Sequence, residues 1–206
     1  MNAKDEILQS HLPTVMVPQF EPLTALKAGE TRLVMAEDGL WIEAESIWGY
    51  FRRLLWRSYR KLPYGKVEAV SNLRCGRIPL KLIEHFAEEA NKWADHGSET
   101  AAWITWGADR GWDYLVLEVL EQSAVSVRYQ WPDLDPDTVL VLDLHSHGTG
   151  AAFFSPTDNQ SDLGFPHYSL VLGRAGSDRP LTQMDCRLRL CLAGYFFEEA
   201  VPWVQT

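Results

Sequence analysis

The chain has no apolar run approaching the roughly 20 residues that a membrane-spanning helix needs. Its first ten residues, Met1 to Ser10, are polar and acidic, without the apolar core of a secretory signal. A cytoplasmic location and no membrane partner are therefore expected. Cysteine is scarce: Cys75, Cys186 and Cys191 are odd in number and include no Cys-x2-Cys pair. That excludes a disulfide framework and a thiolate zinc site and leaves buried, reduced thiols. Positive charge is also in deficit, with 19 Lys and Arg against 28 Asp and Glu and a formal net charge of -9. Such a surface argues against nucleic acid as a partner, because phosphates demand basic groups, and accommodates a protein more easily. No internal repeat or low-complexity tract is present. What remains is an ordinary globular composition, 206 residues with 46% hydrophobic and 12% aromatic, enough for one sizeable core plus an elaboration.

Residues 1 to about 30 carry Pro13, Pro18 and Pro22 between short apolar pieces, which predicts an irregular strap or arm. From Thr31 to Ala44, Asp38-Gly39 separates Arg32-Leu33-Val34-Met35 from Leu40-Trp41-Ile42, a hairpin signal. Ile47 to Tyr59 sets Ile47, Phe51, Leu54 and Leu55 at helical spacing after Glu45-Ser46, predicting a helix. This segment also carries Arg52, Arg53, Arg57, Arg60 and Lys61, either as a docking surface for an acidic protein or nucleic acid or as a solvated face paired with local Glu residues. Pro63-Tyr64-Gly65 is a turn, and it sets the boundary between an N-terminal elaboration, residues 1–65, and a main domain, residues 66–206. Trp41, Trp48 and Trp56 are too many large aromatics to leave in water. The elaboration is expected to fold against the main domain while presenting Arg52, Arg53 and Arg57 to an acidic partner or modifier.

Pro79 to Asp95 is the clearest helix. Leu82, Ile83, Phe86, Ala90 and Trp93 form an apolar stripe, Glu84, Glu88, Glu89 and Lys92 face water, and Gly97 offers a left-handed stop. Ser98 to Gly107 reads as a strand ending in glycine. Tyr114 to Leu120, Ser123 to Tyr129 and Val139 to Leu144 follow as strands, the first two joined by a turn at Glu121-Gln122. Tyr168 to Gly173 and Arg187 to Phe197 are further strands, with Gly173 to Pro180 an exposed turn and Leu188, Leu190 and Leu192 alternating against Arg187, Arg189 and Cys191.

The chemistry concentrates in Val141 to Asp158, V-L-D-L-H-S-H-G-T-G-A-A-F-F-S-P-T-D. Alternate side chains of a strand share a face, so His145 and His147 project toward one point. Asp158, eleven residues after His147, closes a chelate once the loop folds back. Two nitrogens and one oxygen leave a fourth tetrahedral position open for water, as catalytic zinc needs.

The pattern H-[ST]-H-x7-S-x2-D, filled by His145, Ser146, His147, Ser155 and Asp158, resembles the signature of the JAMM, or MPN-plus, metallopeptidases of the JAB-domain group. Ordinary residue frequencies give this pattern roughly less than one chance in a thousand in a chain of this size. The resemblance covers about residues 67 to 197. It implies an α/β (α+β) fold, a JAMM/MPN-like, cytidine-deaminase-like sandwich around a mostly antiparallel mixed sheet, here with an N-terminal β-rich elaboration. It also implies one zinc ion (Zn2+) per chain on His145, His147 and Asp158, Ser155 as an oxyanion donor, and a catalytic Glu just after the first long helix. Glu99 fills that place, in the context E-x2-[small]-x-[apolar]-x2-G with Ala102, Ile104 and Gly107. A charged Glu opening an apolar strand is in any case out of place unless it faces a cavity or a metal; the plain alternative is a solvent-facing strand end. The implied activity is hydrolysis of an amide or isopeptide bond, removing or processing a ubiquitin-like modifier. Length and the added N-terminal part are similar to the JAMM component of the prokaryotic PRTRC cassettes. Two other readings stand beside this one: an MPN-fold scaffold that docks partners without hydrolysis, although such scaffolds lose ligands that are all present here, and a zinc hydrolase of small amides.

One departure from the family pattern is Gly148, where members usually carry proline after the second His; with Gly150 it predicts a loosened loop. Asp143 shares a strand face with His145 and reads as a support for the ligands, with Asp113 and Glu118 as competing acids. Asp162 is an alternative ligand should the loop register differ. His85 and His96 have structural explanations in or at the end of a helix, and His167 is read as packing or as lining the cleft.

Overall fold

Residues 2–122 and 127–201 are described in a computed structural model, and the chain divides into two units after Arg74. In the first unit Asn2 accepts from the Lys4 N–H, and Asp5 and Glu6 in the opening turn suit the positive end of a helix. Residues expected to be irregular therefore begin with α1 (Ala3–His11), and the prolines act only after it. β1 (Thr14–Met16) runs parallel to β2 (Thr31–Ala36), and β2 forms the expected hairpin with β3 (Gly39–Ser46). Gly39 has φ +146°, and a Cβ there would stand 2.0 Å from the Trp56 carbonyl oxygen, so this turn admits only glycine.

The helix predicted over Ile47 to Tyr59 is instead β4 (Gly49–Arg57), which returns on β3 through a turn at Ile47-Trp48. The aromatics that blurred the helical stripe explain the difference. Trp48 and Phe51 are fully buried with ring centroids 4.7 Å apart, and strand pairing sets Arg32, Glu43 and Arg52 in line across β2, β3 and β4. Glu43 is buried between the two guanidiniums, accepting from Arg32 Nε at 2.6 Å, Arg52 Nε at 2.8 Å and the Tyr50 hydroxyl. Burial opposes its ionisation, but these donors hold its carboxyl below the ordinary range. Arg53 donates to the Val70 carbonyl at 2.7 Å and to Ser71 Oγ at 2.6 Å, whereas Arg57 is exposed and lies 3.5 Å from Asp38. Two of the three arginines expected to face a partner are thus engaged within the unit. Trp41 and Trp48 are buried; Trp56 is half exposed. β5 (Val70–Leu73) pairs with β4 and completes the order β1-β2-β3-β4-β5, so the first unit runs nine residues past Gly65, to Arg74.

The second unit opens with α2 (Leu80–Asp95), ended by Gly97 at φ +72° as its position predicted. Its buried stripe is Ile83, Phe86, Ala87, Ala90, Asn91 and Ala94; Trp93, expected inside, is exposed. The strands that follow are β6 (Ala101–Gly107), β7 (Gly111–Val116), β8 (Val119–Gln122), β9 (Val127–Tyr129) and β10 (Thr138–Ser146). The strand read over Tyr114 to Leu120 breaks at Leu117-Glu118, and Glu121 and Gln122 belong to β8, not to a turn. Residues 123–126 of the next expected strand lie outside the described residues. After β10 come α3 (Pro156–Ser161), β11 (His167–Gly173), β12 (Asp185–Leu192) and β13 (Tyr195–Glu199). The single strand predicted from Arg187 to Phe197 is a hairpin, because Ala193 and Gly194, at φ +46° and +82°, make a two-residue left-handed turn. Arg189 and Cys191 are as buried as Leu190 and Leu192, so this part of β12 is covered on both faces.

Six strands form one mixed sheet in the order β13-β12-β11-β10-β6-β7, antiparallel except for the β10–β11 pair, and β8–β9 is a separate ribbon. This is the mostly antiparallel mixed α+β architecture expected. Among the described residues, no helix is long and apolar enough to cross a membrane. The turn at residues 173–180 is held to α2: Asn91 Oδ1 accepts from Gly176 N–H at 2.8 Å, and Asp95 Oδ1 from Ser177 N–H at 2.9 Å. Beyond β10 the backbone stays tied to the end of β11, with His147 N–H donating to the Leu172 carbonyl at 2.8 Å, Ala175 N–H to Gly148 at 2.8 Å and Arg174 N–H to Gly150 at 2.5 Å. Such close passage needs Gly173, where a Cβ would meet Ala152 N at 2.3 Å and Gly150 O at 2.6 Å. Both are backbone atoms and cannot swing aside. Gly173→Ala should therefore cost about 1–3 kcal/mol in denaturant titration, as overpacking does; an unchanged midpoint would show that the 150–152 segment is not held against β11.

Candidate metal centre

His145 and His147 leave the end of β10 on one face, with ring centroids 5.4 Å apart. The residue between them ties two strands together, since Ser146 N–H donates to the Thr100 carbonyl at 2.9 Å and Ser146 Oγ accepts from Thr100 N–H at 3.0 Å. These two bonds lay the Glu99 segment beside the histidine pair. Asp158 arrives on α3, a helix of one and a half turns whose N-cap is Ser155. Asp158 N–H donates to Ser155 Oγ at 3.2 Å, and Asp158 Oδ2 accepts from Ser155 N–H at 2.5 Å, a reciprocal capping box. That orientation leaves Oδ1 facing His145 Nε2 at 3.4 Å.

Three ligand atoms, one each from His145, His147 and Asp158, lie within 4.8 Å of one another. His147 Nδ1 lies 3.1 Å from the Ala151 carbonyl, which can only accept, so the ring proton sits there and Nε2 keeps its lone pair. His145 Nε2 is buried without a well-formed hydrogen bond, an orphaned atom of the kind that a metal ion satisfies. Charges agree with this fit. Burial disfavours ionisation of Asp158, but the neighbouring His145 and hydrogen bonding to Ser155 hold its carboxyl far below the ordinary range. Burial likewise opposes protonation of His145, yet the carboxylate of Asp158 beside it outweighs this and raises its pKa above the usual imidazole value. Burial and the charge on His145 keep His147 below its usual value and so neutral. The donor set suits a divalent ion that accepts two imidazoles and one carboxylate and keeps a position open.

Glu99 is 6% exposed and lines the same cavity, of about 300 Å³, as His145, His147, Ser155 and Asp158. It is therefore no solvent-facing strand end. Burial pushes its carboxyl up to about 7, with His145 pulling it down and Asp158 pushing it further up. All five residues singled out in the sequence meet in one place. Asp143 also lines the cavity; its Oδ2 accepts from the Tyr129 hydroxyl at 2.8 Å, while Oδ1 is buried without a hydrogen bond. Asp113 and Glu118 are exposed and do not line it.

A second titratable group, Asp162, His167 and Cys191, sits close enough together to hold an ion. Its positive charge is supplied from within: Asp162 Oδ2 accepts from Arg189 Nε at 3.0 Å and Nη2 at 2.6 Å, and Asp162 Oδ1 lies 3.2 Å from His167 Nε2. Asp162 is thus committed to Arg189 and is no substitute for Asp158. His167 belongs to this packed network, and burial raises the Cys191 thiol far above its usual value, so it stays protonated. Cys191 is buried, whereas Cys75 and Cys186 are partly exposed. Sequence reasoning did not single out Tyr129 or Arg189. A buried partner for each unexplained acid was the signal available, and sequence spacing does not reveal such partners.

Two families match the chain, one per unit: a domain of unknown function, DUF2016, over residues 2–74, and the prokaryotic homologs of the JAB domain over residues 79–187. No curated protein matches. Among solved structures, the solution structure of protein DSY2949 from Desulfitobacterium hafniense is 18% identical, covering 58% of this chain and 86% of that one with a TM-score of 0.41.

The raised Glu99 carboxyl has a consequence for stability. In the metal-free protein the folded state holds this proton up to about pH 7, whereas an ordinary Glu releases it near 4.5. Its contribution is present below pH 4.5 and is lost as pH rises through 7. Glu99→Gln removes that dependence, so its stability relative to wild type should improve between pH 5 and pH 8 by up to about 3 kcal/mol. Urea titrations in the presence of a chelator measure this; an equal difference at both pH values would mean that Glu99 is not a buried, proton-holding carboxyl.

Proposed function

The chain belongs to the prokaryotic homologs of the JAB domain, and from that footing we propose that it is a zinc-dependent metallopeptidase that hydrolyses an amide or isopeptide bond, removing or processing a ubiquitin-like modifier. The observation that carries the reading is the convergence of Glu99 with His145, His147 and Asp158 in one cavity. A scaffold has no use for a buried acid beside three ligand atoms. One zinc ion per chain on His145, His147 and Asp158 would supply Lewis acidity, lowering the proton affinity of coordinated water and polarising the scissile carbonyl.

The chain's own groups do the rest. Glu99 takes the proton from the attacking water and returns it to the departing amine, a two-way role that suits a carboxyl whose affinity for protons lies near neutrality. Beside a bound cation the ionised form of Glu99 would be favoured, which would leave its carboxylate ready to accept that proton. Ser155 Oγ already accepts from Asp158 N–H, which fixes the oxygen while its hydroxyl proton remains to be donated to the developing oxyanion. Phe153 packs on His147 with centroids 4.4 Å apart and is exposed, an apolar lip beside the ligands. The products are a carboxylate and a free amine.

Elemental analysis after chelation and readdition of zinc should give one ion per chain, lost in His145→Ala, His147→Ala. Glu99→Gln should keep that ion and lose hydrolysis of a modifier fused to a peptide by at least about 100-fold, the usual contribution of a general base. Zinc retained by the double histidine variant would remove the metal centre, and full activity of Glu99→Gln would place the base elsewhere.

A further inference from the structure

The six-residue α3 is too short to hold its own shape, since isolated helices of fewer than about 12 residues are marginal in water. Its capping box braces only the first turn. Yet it carries Asp158 and begins at Ser155, two residues whose positions decide whether the site is formed before a metal arrives.

We infer that Arg189 is a positioning residue for this segment, its guanidinium clamping α3 so that Asp158 and Ser155 stand in place in the metal-free protein. The inference rests on the metal reading above. Arg189 comes from β12 and is 3% exposed. Its Nε and Nη2 both donate to Asp162 Oδ2, at 3.0 and 2.6 Å, and Nη1 donates to Asn159 Oδ1 at 2.6 Å. Its carbon lies 3.8 Å from the Phe154 ring centroid and 4.0 Å from that of Phe196. The groups it holds from this loop are thus residues 154, 159 and 162, which bracket both Ser155 and Asp158. Asp162 N–H in turn donates to the Asp158 carbonyl at 3.0 Å, and Asn159 N–H to the Ser155 carbonyl at 3.1 Å, so the clamp reaches the ligand through the backbone. Its hydrogen bonds go to the ligand's neighbours, not to the ligand.

Arginine is the residue type that this place requires. A planar fork serves two acceptors at once while both of its faces stack on rings, which compensates a buried charge through hydrogen bonds and aromatic faces together. Lysine keeps the charge but has neither the fork nor the faces. Partners that orient metal ligands are commonly worth 10- to 100-fold in metal affinity.

The test is zinc affinity of the full chain, by competition with a chromophoric chelator, together with the visible spectrum of the cobalt(II) form and the melting temperature of the metal-free protein. Arg189→Lys should weaken zinc binding by about 10- to 100-fold and alter the cobalt spectrum, and Arg189→Met should weaken it at least as much. Asn159→Ala, at a partly exposed position, should act in the same direction more mildly. Phe86→Leu, in the buried stripe of α2, lowers the melting temperature without touching the clamp and should leave zinc affinity unchanged. Wild-type affinity in a folded Arg189→Lys protein, or equal weakening by Phe86→Leu, would overturn the inference. Should the Arg189 variants not fold, Asn159→Ala decides: weakened zinc supports the clamp, wild-type affinity overturns it. Wild-type protein that binds no zinc would instead overturn the metal reading, and the clamp with it.

Discussion

The site depends on the double pairing of β10. Antiparallel to β6 on one side and parallel to β11 on the other, this strand fixes His145 opposite both Ala101 and Val171. From β6 the pairing recruits Glu99, which the Ser146–Thr100 bonds bring alongside. From β11 it recruits the backbone donors that route residues 148–150. Register is therefore the controlling quantity, because a slip of one residue turns every side chain of a strand to its other face. The strand contains one such adjustment already, an irregularity in its pairing with β6 between Leu140 and Leu142. Beyond it Asp143, His145 and His147 share a face with Leu140, which packs with Ala101 and Trp103 in a buried apolar group. The candidate histidine ligands thus extend a face that hydrophobic packing has already fixed.

Four carboxylates, Glu99, Asp143, Asp158 and Asp162, line one cavity of about 300 Å³. Burial of so many acids is tolerable only where each finds compensation. Asp162 has a guanidinium and an imidazole. Asp158 has an imidazole and the Ser155 N–H, while Asp143 has the Tyr129 hydroxyl and, at its other oxygen, no hydrogen bond. Glu99 holds a proton until the pH approaches 7. The acids differ in what neutralises them: Asp162 is fixed by a guanidinium, Asp158 faces an imidazole, and Glu99 is kept neutral by a proton.

The sequence disclosed the site more fully than the fold around it, and the reason is chemical. Metal ligands must be His and Asp at spacings that a strand and a loop can realise, so His145, His147 and Asp158 stood out from few competitors; Glu99 followed from a charge misplaced at the start of an apolar strand. Strand ends and hairpins carried weaker signals. Ile47 to Tyr59 satisfied a helical spacing, yet a cross-strand Arg32–Glu43–Arg52 alignment, which no local pattern displays, made it β4. Ala193-Gly194 was readable as a turn, but the alternation on both sides of it looked continuous. Arg189 in that run passed as the polar half of the alternation, because burial on a strand's second face depends on distant side chains, here Phe154, Asn159 and Phe196, that close over it.

Gly148 shows how a departure from a family pattern can be compensated. Proline after the second histidine would fix φ near -65°, whereas Gly148 has φ +51°, a conformation closed to proline. The difference is one of route, since at this angle the Gly148 carbonyl meets Ala175 N–H and, two residues on, the Gly150 carbonyl meets Arg174 N–H. The loosening expected from two glycines is countered by bonds to the end of β11, and those bonds exist only because Gly173 lets the loop pass at backbone distance. Rigidity that a proline ring supplies locally is here supplied by the sheet edge at one end of the loop and by the stacked guanidinium of Arg189 at the other. The three candidate ligands are then held by tertiary contacts that form with the domain itself, which makes the geometry of the site a property of the folded β10–β11–β12 core and not of the loop's own stiffness.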